Sequence, residues 1–259
     1  MKNRKTTVDL HVHFGQYYNV YYEPSIVIKC LFNNGIKEVW ASSTTSCINW
    51  ETEEEKRWLV HKIDKEITEA VLTANKYKMK FTPLYWVIPK RYIDGESVAS
   101  IIRDSPYKGF KIHPRCGEWS KNIPLIHNLF EEVCICARKH SMPILIHTGI
   151  DAVDAPNRFE EFFSKYNDVK FVLAHCKDTD KIIDMFGKYS NVYGDTAFCP
   201  DESYKKIREY GFRDRMQIGT DFPITHWVEK HRNQPLVDEE ELTLSYKKLK
   251  QKTIKFSKE

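Results

Sequence analysis

No stretch of this 259-residue chain is apolar for long enough to cross a membrane; its longest apolar runs are strand-sized. The seven cysteines show neither a CxxC motif nor the paired spacing of a disulfide framework. Cys134 and Cys136 fall inside a helical pattern, and Cys30 and Cys47 lie in unrelated contexts, so reduced thiols in a cytoplasmic protein are expected. Residues 1–7 are polar and basic with no apolar stretch behind them, and no signal peptide is expected there. Strong charge of one sign is also lacking. The formal net charge is +4 and the sequence pI about 8.5, too diffuse to imply nucleic acid by itself. The densest basic stretch, 247–258, follows an acidic run at 238–241 and reads as a solvated amphipathic last helix rather than a nucleic-acid tail. With no linker, low-complexity tract or short repeat either, the chain reads as one domain over 1–259, a usual length for a single α/β barrel.

What is present is a regular alternation. Hydrophobic residues make up 41% and charged residues 29%, enough for a large core and against wholesale disorder. Short β-rich apolar runs at 7–13, 36–41, 81–87, 109–113, 143–147, 169–175, 192–195 and 216–220 predict eight strands. Helical patterns at 52–78, 122–140, 157–166, 181–189, 203–210 and 239–255 lie between and after them, with Gly35, Gly109, Gly211 and several prolines marking the joins. Strict β-then-α order argues for a parallel sheet. It is best closed into a (β/α)8 TIM barrel, with some distortion allowed, and a doubly wound open sheet is the second choice.

Polar residues gather at the C-terminal ends of those runs, where a barrel places its active site. His11 and His13 end the first run, Lys111 and His113 the fourth, His147 the fifth and His175 the sixth; Asp221 follows the eighth. His13 and Lys111 are 98 residues apart, about three βα units, and Lys111 and His147 are 36 apart, about one. His147 and His175 are 28 apart, again one unit, and His175 and Asp221 are 46 apart, two compact ones. Side chains alternate along a strand, so His11 and His13 point to one side.

His11, His13, His147 and Asp221 together offer three imidazole nitrogens and a carboxylate, a set suited to Zn²⁺ and also to Mn²⁺, Fe²⁺ or Co²⁺, with a position open for water. Asp221 can hold the metal and accept the proton of the attacking water. His175 reads as a ligand to a second metal or as a hydrogen-bonding electrophile to the substrate; for His175 and His113 a satisfied core position competes. Lys111 has three readings: a carboxylated bridge between two ions, an ammonium that binds a substrate anion, or a stem covering the barrel rim. Arg115 is a candidate clamp for a substrate carboxylate, against the reading of a surface arginine. Phe14, Tyr17, Tyr18, Tyr21 and Tyr22 crowd the segment after the first run, where they would roof the pocket or pack down the first helix.

The segments Asp9-Leu10-His11-Val12-His13, Gly109-Phe110-Lys111-Ile112-His113-Pro114 and Pro143-Ile144-Leu145-Ile146-His147-Thr148-Gly149 carry a family resemblance. So do Phe171-Val172-Leu173-Ala174-His175, Asn191-Val192-Tyr193-Gly194-Asp195-Thr196 and Ile218-Gly219-Thr220-Asp221-Phe222-Pro223. In that order, over residues 8–223, the chain resembles the amidohydrolase superfamily and within it the amidohydrolase-2 group. The resemblance implies a (β/α)8 barrel, a metal held by His11, His13, His147 and Asp221, and His175 beside the reacting group. It leaves the choice of one ion or two open, because of Lys111.

Four functions follow. The first is a metal-dependent hydrolase of a small amide, ester or lactone; short loops and the lack of an added β-sandwich domain favour small substrates. The second is a non-oxidative decarboxylase of an unsaturated or aromatic acid on the same scaffold, with Arg115 and Lys111 as carboxylate partners. A TatD-like nuclease ranks below these, because that group usually has glutamate where this chain has Lys111. A catalytically silent binding barrel ranks last, since it would need none of the ligands. The expected partner is a small-molecule substrate, without membrane or nucleic acid; the oligomeric state is left open.

Overall fold

The computed structural model describes residues 7–116, 119, 123–228 and 238–258, with side chains for all of these but 123 and 254–258. Residues 1–6, where no signal peptide is expected, and Asn122, expected to open a helix, lie outside the described residues. In chain order the elements are β1 (Val8–Tyr17), β2 (Val20–Tyr22), α1 (Pro24–Asn33), β3 (Glu38–Ser43), α2 (Glu53–Lys76) and β4 (Lys80–Trp86). Next come α3 (Pro89–Ile93), α4 (Val98–Arg103), β5 (Gly109–Ile112), α5 (Ile123–His140), β6 (Ile144–His147), α6 (Glu160–Lys165) and β7 (Phe171–Ala174). The chain continues through α7 (Thr179–Lys188), β8 (Val192–Asp195), α8 (Asp201–Glu209), β9 (Met216–Gln217), α9 (Ile224–His226) and α10 (Glu239–Lys258). All eight expected strands form, the last of them shorter than expected. The short strand β2 and helices α1, α3, α4 and α9 are additions to the sequence expectation.

The chain forms two compact units, one made of the residues up to Pro83 and from Ile218 onward, the other of Leu84–Gln217. In the first unit β1 pairs in parallel with β3, and β3 with the first half of β4. On its other edge β1 meets the 218–222 segment: Leu10 N donates to Ile218 O at 2.8 Å and His13 N to Phe222 O at 2.7 Å. Beyond Phe14, β1 runs on into a hairpin with β2, pairing Gly15 with Tyr22. Gly15 is obligatory there. Its φ is +91°, and a Cβ would stand 2.6 Å from Thr45 Oγ1 and 2.7 Å from Glu66 Oε2.

Helix α2 starts at a capping box in which Glu55 N donates to Thr52 Oγ1 and Thr52 N to Glu55 Oε2. Its buried Leu59, Ile63, Ile67, Ala70 and Ala74 follow the helical period. Helix α10 is the expected last helix but is tied inward as well as solvated. Asn34 Nδ2, just past α1, donates to Thr243 O at 3.2 Å, and Leu242 and Tyr246 are buried. The aromatic cluster after the first strand divides: Phe14 and Tyr22 are buried in the packing, whereas Tyr18 is 76% exposed and stacks on Trp227.

In the second unit the latter half of β4 and strands β5 to β9 pair in parallel, each with the next. Phe110, Ile144, Leu145, Ile146, Phe171, Val172, Leu173 and Val192 are buried, as expected of parallel strands covered on both faces, which read as continuous apolar runs.

Candidate metal centre

Strand β1 alternates Asp9, His11 and His13 with Leu10, Val12 and Phe14, and every one of these is buried. A strand with no water on either side has thus given one side-chain set to polar groups, which must find partners. The 218–222 segment supplies them. Asp221 N donates to His11 O at 2.8 Å, and Val12 bridges Phe222 in parallel. Asp221 is thereby carried next to both histidines: its Oδ1 lies 2.9 Å from His13 Nε2 and 3.5 Å from His11 Nε2. The two imidazole rings stand edge to face, 5.1 Å between centroids. One donor atom from each of the three residues falls within 4.8 Å of the others.

Two imidazoles and a carboxylate, buried and converging, match the borderline-soft donor set of a transition metal such as zinc. The residues of the first unit therefore fit a divalent ion. His13 Nδ1 is held by Ser42, 3.1 Å from its Oγ and 3.3 Å from its carbonyl oxygen, which leaves Nε2 to face Asp221. Asp221 itself has φ +56°, a left-handed conformation that costs a residue with a Cβ about 1 kcal/mol.

Asp9, in the motif but given no role by sequence reasoning, is fully buried and accepts four hydrogen bonds. The donors are His11 N at 3.2 Å, Thr220 N at 3.1 Å, Thr220 Oγ1 at 2.6 Å and Tyr246 OH at 2.9 Å. Burial pushes its carboxyl up to about 7 against the pull of these bonds. The signal that would have found Asp9 is its parity with His11 and His13 on a strand without a solvent face.

The second unit assembles a different set. Trp86, at the end of β4, stacks on His113 at 5.5 Å, and His113 stacks on His147 at 3.9 Å. His147 Nδ1 lies 2.9 Å from His175 Nε2, and His175 Nδ1 lies 2.9 Å from the carbonyl of Ala197. That carbonyl can only accept, so in neutral rings His175 carries its proton on Nδ1 and His147 donates from Nδ1, which leaves the lone pair of His147 on Nε2. His175 has φ +73°, and its N–H donates to Asp195 Oδ1 at 2.9 Å.

Lys111 is buried, with its ammonium 5.7 Å from the Trp86 ring centroid, so it does not lie along a solvent-facing rim. Arg115 donates from Nε to Asp154 and from Nη2 to Asp151, and Asp154 Oδ2 also lies 3.7 Å from His147 Nε2. Asp154 and Asp195 were given no role by sequence reasoning: Asp154 lies in a turn with no spacing signal, and Asp195 ends β8 within a segment quoted only for the resemblance.

A model of the amidohydrolase family matches residues 84–252, about two thirds of the chain. The chain belongs to the amidohydrolase family. The match takes in Lys111, His113, His147, His175 and Asp221 and stops short of His11 and His13. No curated protein matches the sequence.

Three solved structures share the family member's fold. An amidohydrolase II is 15% identical, covers 95% of this chain and 100% of its own, and superposes with a TM-score of 0.58. A phosphotriesterase homology protein from Escherichia coli, with phosphate in its active site, is 13% identical at a TM-score of 0.56, covering 96% of this chain and 95% of its own. A TatD-like protein from Archaeoglobus fulgidus is 16% identical at 0.53, covering 94% and 99%. The likeness shows a mixed α/β fold, the distorted TIM barrel of amidohydrolases. Family membership makes the protein an amidohydrolase-like enzyme acting on a small molecule, in a family that is typically metal-dependent. No helix among the described residues is long and apolar enough to cross a membrane.

Proposed function

We propose that this amidohydrolase is a cytoplasmic, metal-dependent hydrolase of a small amide, ester or lactone, in which His11, His13 and Asp221 hold a divalent ion, zinc by preference. The observation that carries the reading is the buried convergence of Asp221 Oδ1 on His13 Nε2 at 2.9 Å and His11 Nε2 at 3.5 Å. A bound divalent ion supplies Lewis acidity, lowering the pKa of water toward neutrality and polarising a carbonyl oxygen. Asp221 has a second carboxylate oxygen with which to take the proton of the attacking water. His147 is assigned to the metal and His175 to hydrogen bonding with the reacting group; these two roles come from the sequence motifs, and separate variants test them. Lys111 and His113 are assigned to the substrate or to a second ion.

The hydrolytic reading is preferred to decarboxylation because Arg115, the expected clamp for a substrate carboxylate, already gives Nε and Nη2 to Asp154 and Asp151. The test is elemental analysis of the purified wild type beside His11→Ala and Asp221→Ala, followed by a panel of esters, lactones, amides and unsaturated acids. About one ion per wild-type chain, lost in both variants, with turnover of an uncharged carbonyl substrate, is the expected result. A wild type that takes up no stoichiometric metal under any loading condition overturns the reading, and CO₂ release from an acid moves it to the decarboxylase.

A further inference from the structure

Backbone pairing alone would hold the 218–222 segment beside β1, yet a buried polar network has been added to it. Burying a carboxylate is costly, and packed apolar side chains would fill the same space at less cost. What such a network adds is a fixed geometry, because each of its members restrains the others. The network here reaches both neighbours of Asp221. Asp9 takes the backbone N–H and the hydroxyl of Thr220 at 3.1 and 2.6 Å, and with the same Oδ1 takes the N–H of His11 at 3.2 Å. Tyr246, on α10 and 237 positions away from Asp9 in sequence, donates its OH to Asp9 Oδ2 at 2.9 Å. The Tyr246 ring meets Phe222 edge to face at 5.0 Å.

We infer that Tyr246, acting through Asp9, is a positioning residue for the metal donors: together they brace Thr220 and Phe222 so that the carboxylate of Asp221 stays aimed at His11 and His13. This rests on the metal reading proposed above. It gives α10 a part in the site, through a phenol that touches no donor atom. Removing that hydroxyl loosens the aim of Asp221 while leaving the three donors in the chain.

Tyr246→Phe deletes one oxygen and keeps the ring against Phe222. Metal affinity is expected to fall about 10-fold, as for other groups that orient a ligand. The visible absorption of the cobalt-loaded protein, which reports ligand geometry, is expected to shift. Asp9→Asn, which keeps the side-chain shape, is expected to act in the same direction and serves if Tyr246→Phe does not fold. Tyr22→Phe is the control. Tyr22 is equally buried, and its hydroxyl has no hydrogen-bond partner among the described residues, so its loss should move neither affinity nor spectrum. Unchanged affinity and an unchanged cobalt spectrum in both Tyr246→Phe and Asp9→Asn would overturn the inference and leave the metal reading standing. A wild type without metal would overturn the metal reading itself.

Discussion

Five of the ten histidines are gathered in two ways. In the first unit, His11 and His13 converge on a carboxylate, and their mutual ring contact is edge to face at 5.1 Å. In the second, His113, His147 and His175 are stacked or hydrogen-bonded to one another, capped by Trp86 at one end and the Ala197 carbonyl at the other. The first arrangement brings a negative charge and two nitrogen donors to one point. The second spends ring nitrogens on fixing tautomers and ring orientation. A cation is served by the former, and a histidine that must present one chosen nitrogen is served by the latter.

The sharpest way to break this contrast is to compare losses. His11→Ala or Asp221→Ala should abolish stoichiometric metal, and with it activity by roughly 1000-fold or more, a loss of the order expected when the main electrostatic stabiliser is removed. His175→Asn should lower kcat by about 100-fold, within the range of one positioned proton-transfer or hydrogen-bonding group, while metal content measured by elemental analysis stays at the wild-type value. If His175→Asn empties the protein of metal, the division of labour between the two sets is wrong.

A smaller effect is expected at the support of His13. Ser42→Ala removes the hydroxyl 3.1 Å from Nδ1 and leaves the Ser42 carbonyl at 3.3 Å. Metal affinity measured by chelator competition should drop about 10-fold, with the folded structure retained. An unchanged affinity would mean that the backbone carbonyl orients the ring unaided.

How far all this could be read from the sequence differs between fold and site. The strands were legible because parallel strands covered on both faces appear as short apolar runs, and β6 and β7 are such runs almost end to end. Helix α1 was not: Pro-Ser-Ile-Val-Ile-Lys-Cys-Leu-Phe-Asn is rich in β-branched residues, and only its buried Val27, Ile28, Cys30 and Leu31 betray the helical period. Helices α3 and α4 are five and six residues long, too short for periodicity to register. His11, His13 and Asp221 were legible because they recur in phase with the apolar runs of the fold. Asp9, Tyr246, Asp154 and Asp195 take key partners from segments far away in sequence, such as Thr220 for Asp9 and His175 for Asp195, and no local spacing encodes those.

The smallest expected effect concerns the cost of buried charge behind β1. Glu66 is buried, accepts hydrogen bonds from Ser43 Oγ at 2.5 Å and Thr45 Oγ1 at 2.9 Å, and burial raises its carboxyl above the ordinary 4.5. A folded-state pKa above the unfolded one means that the native state holds the proton more tightly. Its contribution is therefore fully present below pH 4.5 and is lost as pH rises through the folded value. Thermal unfolding of Glu66→Gln against wild type should show the variant gaining relative stability as pH is raised from about 4.5 toward neutrality. A difference independent of pH would mean that the hydroxyls of Ser43, Thr45 and Tyr21 and the charge of Lys62 fully offset the burial.

The most direct test of the central claim is metal content per chain in wild type, His13→Ala and His113→Ala after identical loading and desalting. The account predicts about one ion in the wild type, none in His13→Ala and about one in His113→Ala. No ion in the wild type, or loss in His113→Ala with retention in His13→Ala, would contradict it.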